Sequence, residues 1–293
     1  MKLVLCSAFA PFAMTTLTLV TAAPLLAGPI PVEPPPDKSG YHLFHPTPRK
    51  FMREMSTDRP DQTESPYTVD AGHVQIEMDF ATFSYDRHSL DGVGSETWNV
   101  APVNLKLGLH NRVDLQMIVD NYLDVRTRES GVSERHRGFG DITARLKINL
   151  WGNDGGPTAL GVMPFVKLPL DASNLRNGET EGGLIIPFAA ELPGGWSMGL
   201  MTEVDFVSDG TGGHETEWLN SITFSRDLTE RLGFYVEFVA VAGTAPGFDW
   251  QGQADAGFTF AVSDDIQLDG GCNFGLTRSA PDFQPFAGIS VRF

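Results

Sequence analysis

Ile142-Thr143-Ala144-Arg145-Leu146-Lys147-Ile148-Asn149-Leu150 decides the fold. Aliphatic residues hold every even position, and polar or charged residues hold every odd one. A period of two is that of a β-strand, whose successive side chains point to opposite faces. Here one face is purely aliphatic and the other carries Arg145 and Lys147. Such a strand separates an apolar phase from an aqueous one.

Outward from this stretch the same alternation recurs. Val74, Ile76, Met78 and Phe80 alternate with Gln75, Glu77, Asp79 and Ala81. Val103, Leu105, Leu107 and Leu109 alternate with Asn104, Lys106 and Gly108. Leu115, Met117 and Val119 oppose Asp114, Gln116 and Asp120, with Ile118 as an exception on the polar side. Weaker repeats follow at about 158–170, 183–192, 196–207, 216–226, 232–242, 250–262, 266–277 and 284–293, giving twelve candidate strands.

A two-layer soluble sandwich and a transmembrane barrel both produce alternation. Two features separate them. Short connections near 109–112, 152–157, 193–195, 227–231 and 262–265 alternate with longer polar ones near 86–96, 126–138, 171–182, 208–215, 243–249 and 277–283. Short periplasmic turns alternating with longer outer loops are the topology of outer-membrane barrels. In addition, Trp98, Trp218 and Trp250 fall near the outer ends of strands, and Trp151 and Trp196 near the periplasmic ends. Indole rings favour the membrane interface, so these five predict an aromatic girdle. The expected fold is an all-β, up-and-down antiparallel transmembrane β-barrel of about 12 strands over residues 72–293.

The two ends of the chain agree with export to a bacterial outer membrane. Lys2, the apolar run from Leu3 to Val20 and the small residues Ala22, Ala23 and Ala27 read as a signal peptide over residues 1–27. No later stretch reaches the ~18 apolar residues of a spanning helix. Residues 28–71 then form a proline-rich linker and a polar periplasmic lead-in. With the signal removed, Cys272 stands alone, so no internal disulfide forms. At the carboxy terminus, Gly288, Ile289, Val291 and Phe293 resemble the last-strand signal read by the barrel-assembly machinery. Their spacing puts the three large residues on the lipid side and Ser290 and Arg292 on the other.

A formal charge of −16 argues against a nucleic-acid partner, whose phosphates call for clustered Lys and Arg. The chain carries no phosphate-binding glycine loop ending in Lys-Ser/Thr, no His-Glu-x-x-His helix and no His-x-Ser pair. His42 and His45 are close together but lack acidic or cysteine company. The sequence therefore predicts no enzyme, metal site or cofactor.

Two segments resemble a known family. Ser56-Thr57-Asp58-Arg59-Pro60-Asp61-Gln62-Thr63-Glu64-Ser65-Pro66, followed by Val69-Asp70-Ala71-Gly72-His73-Val74-Gln75-Ile76-Glu77, is similar to the amino-terminal signature of the MetA-pathway of phenol degradation family. Gly138-Phe139-Gly140-Asp141, leading through Arg145-Leu146-Lys147 to Asn149-Leu150-Trp151-Gly152, resembles its second block. The resemblance spans roughly residues 55–293 and implies an outer-membrane, transporter-like barrel, with aromatic compounds as associated solutes. For the first block two readings stay open: a rigid approach to the first strand, or Asp58, Arg59 and Asp61 constricting the periplasmic mouth. Gly138 and Gly140 permit a bend or a close approach.

The polar faces define the candidate lumen. Its basic members are Lys106, Arg145, Lys147, Lys167 and Arg292. Its acidic members are Glu77, Asp79, Asp114, Asp120, Asp124, Glu203, Asp205, Glu237, Asp255 and Asp269. Neighbouring strands lie ~4.8 Å apart, so opposite charges are expected to pair across them. The predicted function is a passive channel for small solutes. A surface-interaction or structural barrel with a closed lumen is the first alternative, and an outer-membrane lipase or esterase the second. Lipid, the assembly machinery and an unidentified solute are the expected partners.

Overall fold

The computed structural model describes residues 36–87, 92–169 and 179–293. The signal peptide, most of the proline-rich stretch and parts of two outer loops lie outside these residues.

Each stretch with a period of two is a strand: β1 (Val74–Asp86), β2 (Gly94–Val100), β3 (Val103–His110), β4 (Val113–Val119), β5 (Tyr122–Glu129), β6 (Val132–Gly138), β7 (Ile142–Trp151) and β8 (Thr158–Leu168). They continue as β9 (Glu181–Leu192), β10 (Trp196–Ser208), β11 (His214–Asp227), β12 (Leu232–Gly243), β13 (Gln251–Ser263), β14 (Ile266–Gly275) and β15 (Phe283–Arg292). β1, β3, β4 and β7 to β15 pair in that order, and β15 pairs back onto β1 from Gln75↔Arg292 to Tyr85↔Phe283. The result is a closed antiparallel barrel of twelve strands. Closure pairs the backbone groups of both terminal strands, as a hydrocarbon surround requires.

The wall is apolar outside and polar inside. Leu115 and Met117 are 43% and 41% exposed, whereas Asp114 and Gln116, which alternate with them, are fully buried. A soluble sandwich would bury the aliphatic face in a two-layer core, so this inversion excludes it. The expected short turns are also present, between β3 and β4, β7 and β8, β9 and β10, β11 and β12, and β13 and β14.

Three wall strands are interrupted at one level. β2 and β3, β4 and β5, and β6 and β7 are halves of single crossings, broken at Ala101-Pro102, Asp120-Asn121 and Phe139-Gly140-Asp141. Pro102 has no N–H to give the ladder, and Ala101 sits at φ 53. Gly140 passes so near Asp120 that a Cβ would lie 1.9 Å from the aspartate Cβ. The breaks are joined sideways, Gly140 N–H donating to the Asp120 carbonyl at 2.7 Å.

Two sequence expectations are corrected by these breaks. Residues 126–138 are not an outer loop but the hairpin β5–β6, which extends the wall upward from β2. Crossing Asp120-Asn121 also shifts the alternation by one residue, so Asp124 lies on the outer face with Arg135 and Arg137 rather than in the lumen.

Candidate functional site

A buried polar wall needs hydrogen-bond partners. Here they come from the chain itself: residues 52–71 run up inside the barrel and back before joining β1.

Asp58 is the hub of the basic side. Its carboxylate lies between the ammonium groups of Lys106 on β3 and Lys147 on β7, all three side chains being at most 4% exposed. Lys106 also pairs with Glu77, which accepts the Asp58 N–H at 3.2 Å. Arg59 reaches the other way, 2.6 Å from Asp79 on β1 and 2.6 Å from Asp269 on β14, with its guanidinium over the Phe286 ring.

Wall carboxylates also hold the segment's backbone. Glu237 on β12 accepts the N–H groups of Gln62 and Thr63, each at 2.8 Å, together with the Thr63 hydroxyl. Asp255 accepts the Gln62 amide at 2.8 Å, and Asp114 accepts the Val69 N–H at 2.9 Å. Glu64 pairs with Arg145. Beside it, Met163, Ile185 and Met201 form an apolar patch on the inner wall, with Pro66 close to Gly161 next to it.

At the periplasmic mouth the lead-in is fastened by a second set of ions. Lys38 lies 2.9 Å and Arg53 3.0 Å from Asp154 in the turn between β7 and β8. Asp265, between β13 and β14, pairs with Arg49 and, at 2.8 Å, with Arg292. For Asp154 and Asp265 burial would raise the carboxyl pKa. Hydrogen bonds from Asn111 and Lys38, and from Arg292 and Arg49, outweigh it and hold both below the usual carboxylate value.

Of the sequence candidates, Glu77, Asp79, Lys106, Asp114, Arg145, Lys147, Glu237, Asp255, Asp269 and Arg292 therefore touch the inserted segment. Strand-to-strand pairs such as Glu77–Lys106 exist, but Asp58, Arg59 and Glu64 supply most of the opposite charges. The others lie apart. Lys167 bridges Asp141 and Glu181 and is 40% exposed, Asp120 accepts from Asn99 at the strand breaks, and Glu203 and Asp205 lie within the field of Arg145. Trp98, Trp151, Trp218 and Trp250 are exposed on the outer surface, while Trp196 is half-buried against Phe234. Phe293 is exposed, Ile289 and Val291 are half-buried, and Gly288 has its Cβ position 2.3 Å from the Arg59 guanidinium.

The segment divides the lumen. A hollow of about 180 Å³ on its outer side is lined by Asp58, Arg59, Glu64, Asp79 and Arg145. One of about 200 Å³ on its periplasmic side is lined by Arg59, Asp61, Arg226 and Tyr235, and a 610 Å³ vestibule opens at the mouth around Arg53 and Arg292. Arg59 lines both inner hollows.

The apolar inner patch escaped the sequence reading because β8 is apolar on both faces there. The signal for the segment was present in the charges of Asp58, Arg59 and Glu64, complementary to those of the wall. One pattern that looks catalytic, Gly195-Trp196-Ser197-Met198-Gly199, enters β10 as plain strand, Ser197 pairing with Ser225 and donating to Glu191 at 3.3 Å. A nucleophile elbow instead needs a strand-turn-helix.

Solved structures share this architecture. The COG4313 outer membrane channel from Pseudomonas putida F1 is 12% identical, with 81% of this chain and 100% of that one covered at a TM-score of 0.56. The beta domain of the Bordetella autotransporter BrkA is 12% identical, with 75% and 99% covered at a TM-score of 0.50. No curated protein matches the sequence. Closed twelve-strand architecture and the inverted wall place the chain in the bacterial outer membrane. The family described as "Putative MetA-pathway of phenol degradation" matches residues 57–293, from within the lumen segment to the last residue, and the chain belongs to that family.

Proposed function

We propose that the barrel is a passive channel for small solutes, with its bore set by the inserted segment. The carrying observation is the position of Arg59 between an outer and a periplasmic hollow. Between these hollows the obstruction is the inserted segment, Arg59 included, rather than a wall strand. A side chain held by ion pairs can move without breaking a β-ladder. The inner wall also has two kinds of lining, the ionic network around Asp58 and the buried apolar patch of Met163, Ile185 and Met201, which a solute meets only where the inserted segment moves aside. That combination suits a small amphiphilic solute, such as a phenol-like aromatic with one polar group, in keeping with the family's description.

The density of the segment's ion pairs favours a second reading, a closed structural barrel. Single-channel recording of the full chain in a planar bilayer separates the two. The channel reading expects resolved conductance steps, whereas silence from correctly folded protein would leave the closed reading standing. The last strand, β15, together with Phe293 that follows it, is the feature we assign to the assembly machinery.

A further inference from the structure

We infer that the outer face of the β5–β6 hairpin is a binding site for the phosphates of a phosphorylated glycolipid of the outer leaflet, the lipid A class. The site is independent of whether the lumen conducts.

Face assignment comes from register. Phe286 points inward, against Arg59, and pairs with Thr82, so the neighbouring residues Phe83 and Tyr85 point outward. Phe83 pairs with Trp98, Trp98 with Asp124, and Asp124 with Arg137. The same outward face therefore carries Arg126, Arg128, Arg135 and Arg137, all roughly half exposed.

In a chain of net charge −16, this face concentrates four guanidiniums against two carboxylates. Glu96 takes Arg128 at 2.9 Å, and Asp124 takes Arg135 at 2.5 Å and Arg137 at 3.0 Å. Arg126 is 4.0 Å from Glu96 and directly opposite Arg135 in the ladder. Like charges facing each other across strands destabilise a sheet. An anion placed between them removes that penalty, and arginine forks match phosphate oxygens two at a time.

Position identifies the anion. The hairpin stands at the end of the barrel opposite the termini and short turns, which is the outer side. On this face, Phe83, Trp98 and Tyr122 form an aromatic band nearer mid-membrane, Arg137 stands level with Trp98, and Arg126, Arg128 and Arg135 lie beyond it. Acyl chains, then an aromatic girdle, then phosphate is the order that an outer-leaflet glycolipid meets. A hollow of about 380 Å³ lined by Tyr85, Arg87, Ser95, Glu96, Arg126 and Arg128 supplies a concave seat for a headgroup.

Native mass spectrometry of the refolded full chain, titrated with bis-phosphorylated lipid A, tests the site. Wild type should retain lipid A, and R126Q/R128Q/R135Q/R137Q should bind at least tenfold more weakly while keeping the heat-dependent gel shift of a folded barrel. Monophosphorylated lipid A should bind less tightly than the bis-phosphorylated form, and phosphatidylcholine should not compete. Equal lipid A binding by wild type and variant overturns the inference. Displacement of lipid A by millimolar inorganic phosphate overturns the lipid assignment. If the quadruple variant fails to fold, R126Q/R128Q, which leaves the Asp124 pairs intact, is read in the same way.

Discussion

Arg59 and Asp269, 210 positions apart in sequence, meet through two hydrogen bonds, 2.6 Å from one guanidinium nitrogen and 3.3 Å from another. This contact ties the inserted segment to β14, and the same guanidinium holds Asp79 on β1. One side chain thus bridges strands on either side of β15, near the closure of the barrel, and lines the hollows on both sides of the segment.

Replacing Arg59 by alanine is expected to join the hollows on its two sides. Single-channel conductance should rise at least twofold over wild type. The variant also strands the Asp79 carboxylate and the fully buried one of Asp269, so its urea midpoint should fall. Unchanged conductance would place the narrowest point elsewhere.

Asp58 neutralises two buried lysines, and removing one partner of a buried pair costs about 3–5 kcal/mol. Asp58→Asn should therefore lower stability by that order. Adding Lys147→Met, which removes one stranded charge, should restore part of the loss. Reversible unfolding of the two single variants and the double variant in a thermodynamic cycle checks the coupling.

Gly108 faces inward on β3, where an added Cβ would lie 2.1 Å from the Asp70 carbonyl oxygen. Alanine is acceptable to a strand, so Gly108→Ala should leave the barrel folded while displacing the segment beside it. Limited trypsin digestion should show faster cleavage after Arg53 with the heat-dependent gel shift retained. Wild-type cleavage rates would mean that the neighbouring backbone gives way instead.

Asp154 and Asp265 are more acidic folded than unfolded. Their contribution is complete above the ordinary carboxylate pKa of about 4 and fades as pH falls through the lower folded value. Anchoring of the lead-in should be constant from pH 7 to about 5 and weaken below about 4. Hydrogen exchange at the amides of Arg53 and Thr68, corrected for intrinsic rates, should follow that profile. Loosening already at pH 6 would exclude these carboxylates as the anchor.

Ile142–Leu150 shows why the wall was legible. A strand between lipid and an aqueous or ionic interior must alternate, and alternation is a local property. The breaks at Ala101-Pro102 and Asp120-Asn121 were harder to read, because a one-residue slip reverses every face beyond it, and Asp124 was misplaced for that reason. Gly140 was flagged as a site of bending or close approach, but what approaches it, Asp120, lies in a neighbouring strand.

By itself the sequence determined the β period, the strand count, the polarity of the faces up to the strand breaks and the presence of opposite charges in the lead-in and the wall. Each follows from neighbours in the chain. Only the tertiary structure decided that those charges meet, with Asp58 between Lys106 and Lys147 and Arg59 between Asp79 and Asp269. Closing the sheet brings strands far apart in sequence around one axis, and the ions buried there are satisfied by whatever segment fills that axis.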